Sequence, residues 1–298
     1  MKKFLKVFSV LVLLCCCMFT FAGCTVKDND SNEYEGLVKE RNYVREVLSN
    51  TEEFLQSVTI GEDAVAATSA NVQSGSPISN PDINVRAGGY DWARNSVKEL
   101  SGILGAISAV INNDGFVPGK LYNAELTEEL GDGGTYSFYI LLNAYCGEEG
   151  VVTLNYSITE SKDNMEYATG SVANAIDIYC NKDGQPIRFV GCESSSDYAE
   201  FKDMRFTDSG KFESCHISQG YDETFRRMID VDKDGEITDY CEYANDPTSE
   251  CFTDEMNETF DSEIEFAKER TCLYSFARPM SKEAIDKFVE AMERSETE

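Results

Sequence analysis

From Thr135 to about residue 245 the chain alternates runs of strand-forming residues with short turn signals, and this rhythm limits its fold more than any other feature. Thr135–Tyr145 (TYSFYILLNAY) and Val151–Ile158 (VVTLNYSI) are dense in β-branched and aromatic residues. Segments 165–180, 185–192, 201–207, 211–217, 224–231 and 236–243 have the same character. Between them stand Gly147 to Gly150, Asp183-Gly184, Ser209-Gly210 and Asp234-Gly235. Glycine reverses a chain because it tolerates left-handed backbone, and Asp or Ser beside it bonds to the turn. Parallel neighbours need crossovers of a dozen or more residues, so connections this short predict an antiparallel meander over about 120–245.

Helical spacing flanks the meander on both sides. Leu37, Val44, Leu48, Leu55 and Val58 recur on one stripe, predicting an amphipathic helix over 36–58. Val97, Leu100, Leu104, Ile107 and Ile111 predict a second over 91–112, stopped by Asn112-Asn113-Asp114-Gly115. The stretch 61–89 between them has no aromatic residue and many Ala, Ser, Asn and Gly, the composition of a mobile loop. Over about 250–294 the spacing is helical again, first in Phe252, Met256, Phe260 and Ile264. After Pro279, Ser281 can cap a last helix carrying Ile285, Phe288, Val289 and Met292. The expected fold class is α+β in one domain, 36–298: N-terminal amphipathic helices, an antiparallel β-meander, then C-terminal helices.

The first residues address the chain. Lys2, Lys3 and Lys6 precede an uncharged stretch from Val7 to Phe21, which runs into Phe21-Ala22-Gly23-Cys24. A charged start, a short apolar centre and small residues before a cut site make a secretory signal. With cysteine next, the segment resembles the lipobox of bacterial lipoproteins, although Phe21 stands where that family usually has Leu. The resemblance implies that residues 1–23 are removed and that the Cys24 thiol carries a diacylglyceryl lipid anchor. It further implies that the body is extracytoplasmic, lipid-anchored to the bacterial cell membrane. An uncleaved transmembrane helix is the alternative, but the apolar stretch is short of the roughly 20 residues that spanning needs. Residues 24–35 are polar and read as a flexible tether.

Without the three lysines of the signal, 23 basic residues face 54 acidic ones, a formal charge of −31. Such a surface repels phosphate backbones and anionic headgroups, so no nucleic acid is expected, and only the lipid should touch the bilayer. Cations, basic peptides or neutral glycans are the partners it allows. Cys146, Cys180, Cys192, Cys215, Cys241, Cys251 and Cys272 are an odd number, which leaves at least one thiol unpaired. If Ser209-Gly210 and Asp234-Gly235 are two-residue turns, Cys215 falls opposite Met204 and Cys241 opposite Met228, as buried inert thiols beside apolar neighbours would.

Residues 230–242 (DVDKDGEITDYCE) resemble the start of an EF-hand calcium loop. Asp230, Asp232 and Asp234 match its first carboxylates and Gly235 its sharp turn; Glu236 and Glu242 are further candidate ligands. The residue at the bidentate position is Cys241, with Glu242 one place late. A hairpin with Asp234-Gly235 at its tip is the favoured reading, since Asp183-Gly184 and Ser209-Gly210 have the same form without three aspartates, and three similar turns in a row read as a meander.

Catalytic signals are sparse. His216 is the only histidine, and the adjacent Cys215 would point to the opposite face of a strand. GxSxG, GxxxxGK[ST] and HExxH do not occur. The expectation is a non-enzymatic binding or accessory module. A carrier or sensor of lipids or apolar molecules is the alternative, and a hydrolase using carboxylates a third.

Overall fold

The computed structural model describes residues 30–61, 63–64, 89–112, 115–129, 135–162, 165–166, 172–221, 224–244, 252–273 and 277–295. Cys24, the signal segment and most of the 61–89 stretch lie outside the described residues.

The chain forms α1 (Asp30–Ser57), the short pair β1 (Thr59–Ile60) and β2 (Asp63–Ala64), and α2 (Gly89–Ile111). The strands β3 (Tyr122–Glu129), β4 (Thr135–Cys146), β5 (Val152–Lys162), β6 (Met165–Glu166), β7 (Ala173–Cys180) and β8 (Pro186–Ser194) follow. They continue as β9 (Tyr198–Phe206), β10 (Phe212–Tyr221), β11 (Phe225–Val231) and β12 (Ile237–Ala244), before α3 (Asp254–Arg270) and α4 (Lys282–Ser295). The sheet order is β12-β11-β10-β9-β8-β7-β5-β4-β3, with β6 on β5. Every described pairing is antiparallel, so the α+β class and the meander stand as the turn signals require.

Three hairpins share one turn. The N–H groups of Asn181, Thr207 and Asp232 donate to the carbonyls of Gln185, Lys211 and Glu236. Gly184, Gly210 and Gly235 close each turn by donating back to residues 181, 207 and 232. The three glycines have φ of 78°, 76° and 75°. Each turn therefore has three residues at its tip, not the two read from the sequence. The extra residue is cancelled by a bulge three positions after each glycine, where Ile187, Glu213 and Thr238 drop out of the pairing. This is why Cys215 still faces Met204 and Cys241 still faces Met228. A Cβ on Gly235 would also meet the Tyr90 ring at 2.5 Å. Gly235→Ala is expected to cost about 1–3 kcal/mol, strain plus clash, read as a lower denaturation midpoint.

Alternation gives the sheet two faces. Leu142, Tyr156, Leu154, Ile176, Phe189, Met204, Cys215, Ile217 and Ile229 share one buried face with Val44, Leu48 and Leu55 of α1 and Val97, Leu104 and Ile107 of α2. Fully burying each such side chain contributes about 1.5–3 kcal/mol. α1 begins at Asp30, so residues 30–35, expected in the tether, are helical. The physical reason is tertiary: Tyr34, Leu37 and Val38 pack against Ala284, Ile285, Phe288 and Val289 of α4. Ser281 caps α4 as its spacing suggested, accepting from the Ala284 N–H at 3.1 Å. No helix of the described residues is long and apolar enough to cross a membrane.

Among the described cysteines, Cys146, Cys180, Cys192 and Cys215 are free thiols. Burial pushes the Cys192 and Cys215 thiols up to about 12, so both stay protonated and inert. Cys241 corrects the sequence reading: it is disulfide-bonded, with its partner outside the described residues.

Candidate functional site

The carboxylates of 230–242 diverge. Asp230 lies in the β11–β12 ladder and accepts from His216 Nδ1 at 2.8 Å. Asp232 Oδ1 accepts the N–H groups of Asp234 and Glu236, both at 2.9 Å. Asn181 plays the same part in its own turn, accepting from Asp183 and Gln185 at 3.0 Å. Asp234 pairs with its exposed neighbour Lys233, and Glu236 is exposed. Glu242 lies on the opposite face, ion-paired to Arg227 at 2.8 Å. Residues 230–242 thus form the hairpin favoured over a calcium loop: strand pairing sends Asp230 and Glu242 to opposite faces, and the turn consumes Asp232. No group of three or more His, Cys, Asp or Glu among the described residues is spaced to hold a metal ion. Asp232→Asn should leave stability within about 0.5 kcal/mol, because Asn181 already does this work, whereas Asp232→Ala should cost about 1 kcal/mol. Millimolar calcium that raised the melting temperature of the parent but not of Asp232→Asn would contradict the hairpin assignment.

The polar chemistry sits on the outer face of the sheet. One row across the strands reads Thr153, Asp177, Val190, Asp203, His216, Asp230 and Asp239. Helix α3 crosses it. Ser218 shares this face with His216, two residues away on β10. Ser218 Oγ donates to Glu263 of α3 at 2.7 Å and lies 3.2 Å from His216 Nε2, which itself meets Glu263 at 3.0 Å.

Ser218, His216 and Asp230 stand in the order of a nucleophile, base and orienting acid. Their electrostatics oppose that use. Burial lowers the His216 pKa, but hydrogen bonds to Asp230 and Glu263, with their charges, more than reverse it, to about 10. At neutral pH the ring is an imidazolium with both N–H groups committed to carboxylates. It cannot take a proton from Ser218, itself fully buried. The cluster clamps α3 to the sheet. The sequence held its signal, since i and i+2 on a strand share a face, but Asp230 and Glu263 come from other elements.

Further along α3, Arg270 donates from Nε and Nη2 to Asp177 at 3.0 and 2.7 Å. Thr153 Oγ1 donates to the same carboxylate at 2.6 Å. At the helix's other end an open cleft of about 620 Å³ lies between α3 and the ends of β9, β10 and β11. Phe260, Ile264, Ala199 and Gly220 give it an apolar wall, and Arg226, Lys268, Asp197 and Asp261 its charges. Gly220 makes room for the aromatic ring, because a Cβ there would come within 3.1 Å of Phe260 Cζ.

The inner face holds one more ionisable group of note. Glu193 and Glu200 face each other across β8 and β9. Lys202 pairs with Glu200 at 2.9 Å and with Glu99 of α2 at 3.2 Å. Gln219 and Tyr198 also donate to Glu200, whose carboxyl Lys202 and these bonds hold below its ordinary range despite burial. Burial, then the charges of Glu200 and Glu99, raise Glu193 to about 8. Its Oε1 has no hydrogen-bond partner among the described residues.

No family model matches the chain, and no curated protein or solved structure matches it.

Proposed function

We propose that the chain is a membrane-anchored, extracytoplasmic lipoprotein acting as a non-enzymatic binding or accessory module. The observation that carries this reading is the filled space between sheet and helices. Side chains of α1 and α2 interdigitate with one sheet face in a continuous buried cluster, where a lipid carrier needs an apolar cavity. An open cleft of about 620 Å³ lies on the other face, and a smaller one of about 320 Å³ between α1 and α2 is lined mainly by polar side chains, among them Arg45, Glu46, Glu52 and Asn112. The disulfide at Cys241 suits an oxidising space outside the cytoplasm.

The test has two arms. Cys24→Ala should abolish lipid labelling and move the protein from the membrane to the soluble fraction; retention of the unlabelled variant would indicate an uncleaved helix. The purified mature chain, extracted with organic solvent, should release no apolar molecule in stoichiometric amount beyond its own anchor. One mole of lipid per mole of protein would replace the module with the carrier.

A hydrolase is the second reading, favoured only by the Ser218-His216-Asp230 order. A serine-reactive fluorophosphonate should label neither the parent nor Glu263→Ala at Ser218. Labelling of the variant that depended on His216 would establish the hydrolase.

A further inference from the structure

We infer that the outer-face cleft is a binding site for short zwitterionic peptides with apolar side chains, which rests on the binding-module reading and names its ligand. Charge balance comes first. In a body carrying −31, this cleft gathers two cations and two carboxylates around one apolar wall. A purely anionic ligand would be repelled by Asp197 and Asp261, and a purely cationic one by Arg226 and Lys268. A ligand with one charge of each sign, separated by apolar groups, meets both pairs.

The cations are available. Lys268 makes no side-chain hydrogen bond or ion pair among the described residues, in a chain where carboxylates outnumber basic groups more than twofold. Arg226 uses only Nη1, toward Asn257 at 3.2 Å and Asp261 at 3.1 Å. Its guanidinium is held over the Phe260 ring, 5.1 Å from the centroid, so the fork stays aimed while Nε and Nη2 are uncommitted. A peptide carboxylate fits between Arg226 and Lys268. Asp261 is exposed and can exchange Arg226 for a ligand ammonium at little cost. Asp197, already oriented by the hydroxyls of Tyr221, Ser195 and Ser196, is the second ammonium acceptor.

The wall and the size agree. Phe260 and Ile264 are one helical turn apart on α3 and face Gly220 on β10, which leaves a shallow apolar surface for one or two aliphatic side chains. About 620 Å³ lies within the range of small-molecule sites and suits a dipeptide or tripeptide.

The test is calorimetric titration of the mature, anchored chain in detergent with Leu-Leu, N-acetyl-Leu-Leu and Leu-Leu amide. Leu-Leu should bind one to one at about 10⁻⁴ M, the affinity that its roughly 17 heavy atoms give at drug-like efficiency. Each blocked peptide should bind about tenfold more weakly. Lys268→Met, at an exposed position that folding does not need, should weaken Leu-Leu about tenfold and leave the amide unchanged, because the amide has already lost that partner. Asp197→Asn should do the same for Leu-Leu and the acetylated peptide. The proposal is overturned by no heat from Leu-Leu at millimolar concentration, or by blocked peptides that bind as well as the free one. Either result, in a preparation without stoichiometric lipid, removes the peptide site and leaves the module reading standing. Stoichiometric lipid would remove that reading itself.

Discussion

Asp177→Ala is expected to destabilise the protein by about 3–5 kcal/mol, the cost of breaking a buried ion pair from one side. Asp177 is 2% exposed and accepts from Arg270 and Thr153. Removing its carboxylate leaves a half-buried guanidinium and a buried hydroxyl to be satisfied by water that must enter beneath α3. For a body of this size, each kcal/mol lowers the melting temperature by about 2–4 °C, so the fall should be of order 10 °C. The damage should be local first. α3 buries only Phe260 and Ala267 fully, and Glu263, Arg270 and Thr271 hold the rest of it through polar contacts. Hydrogen exchange should therefore quicken in α3 before it does in β4 or β5. Asp177→Asn keeps the shape and one acceptor and should cost less. An unchanged melting temperature for Asp177→Ala would mean that α3 is held by its apolar contacts alone.

The meander was legible because its information is local. Turn glycines with Asp or Ser beside them, and runs of β-branched residues, act over a few positions, and the strand order then follows from short connections. The turn length was not legible. Asp234-Gly235 fits a two-residue or a three-residue tip equally well, and only the bulge at Thr238 separates them. The start of α1 was missed for a different reason. Residues 30–35 have no apolar stripe of their own in the sequence, and they are helical because α4, some 250 residues later, gives Tyr34 and Leu37 something to pack on.

The outer-face chemistry was half legible. His216 and Ser218 share a face by alternation alone, yet Asp230 becomes their partner only through the β10–β11 register, and Glu263 only through the path of α3. The aspartate run drew attention because its pattern is contiguous, while Arg226 and Lys268 are 42 positions apart in sequence and meet only at one cleft. The buried carboxyl on β8 was hidden among 54 acidic residues. Nothing in the pattern around Glu193 distinguishes it from an exposed glutamate until Glu200 is placed opposite it.

That carboxyl is expected to respond to removal in the opposite direction, with Glu193→Gln stabilising the protein at neutral pH. The native state holds a proton on Glu193 up to about pH 8, whereas the unfolded chain releases it near the ordinary value of 4.5. A carboxyl whose folded pKa is raised contributes most below its unfolded pKa. Stability is therefore lost as pH rises from about 4.5 to about 8 and is level, for this group, beyond that. At pH 7 the displacement of about 2.5 units corresponds to roughly 3 kcal/mol of lost stability, an upper value because the buried site relaxes when it ionises. Glutamine has the same shape, carries no charge and removes the linkage. Its amide must still find partners beside Lys202, so a net gain of about 1–2 kcal/mol at pH 7 is expected. Urea denaturation at pH 5, 7 and 8.5 would read it as a difference between variant and parent that is small at pH 5 and grows to pH 8.5. His216, with its pKa raised from 6.5 to about 10, loses its own contribution from about pH 6.5 upward, inside the same window, but it does so equally in variant and parent and cancels in their difference. A difference that stayed constant with pH, or a variant less stable than the parent at pH 8.5, would show that Glu193 is ionised in the folded protein and stabilised there by Lys202.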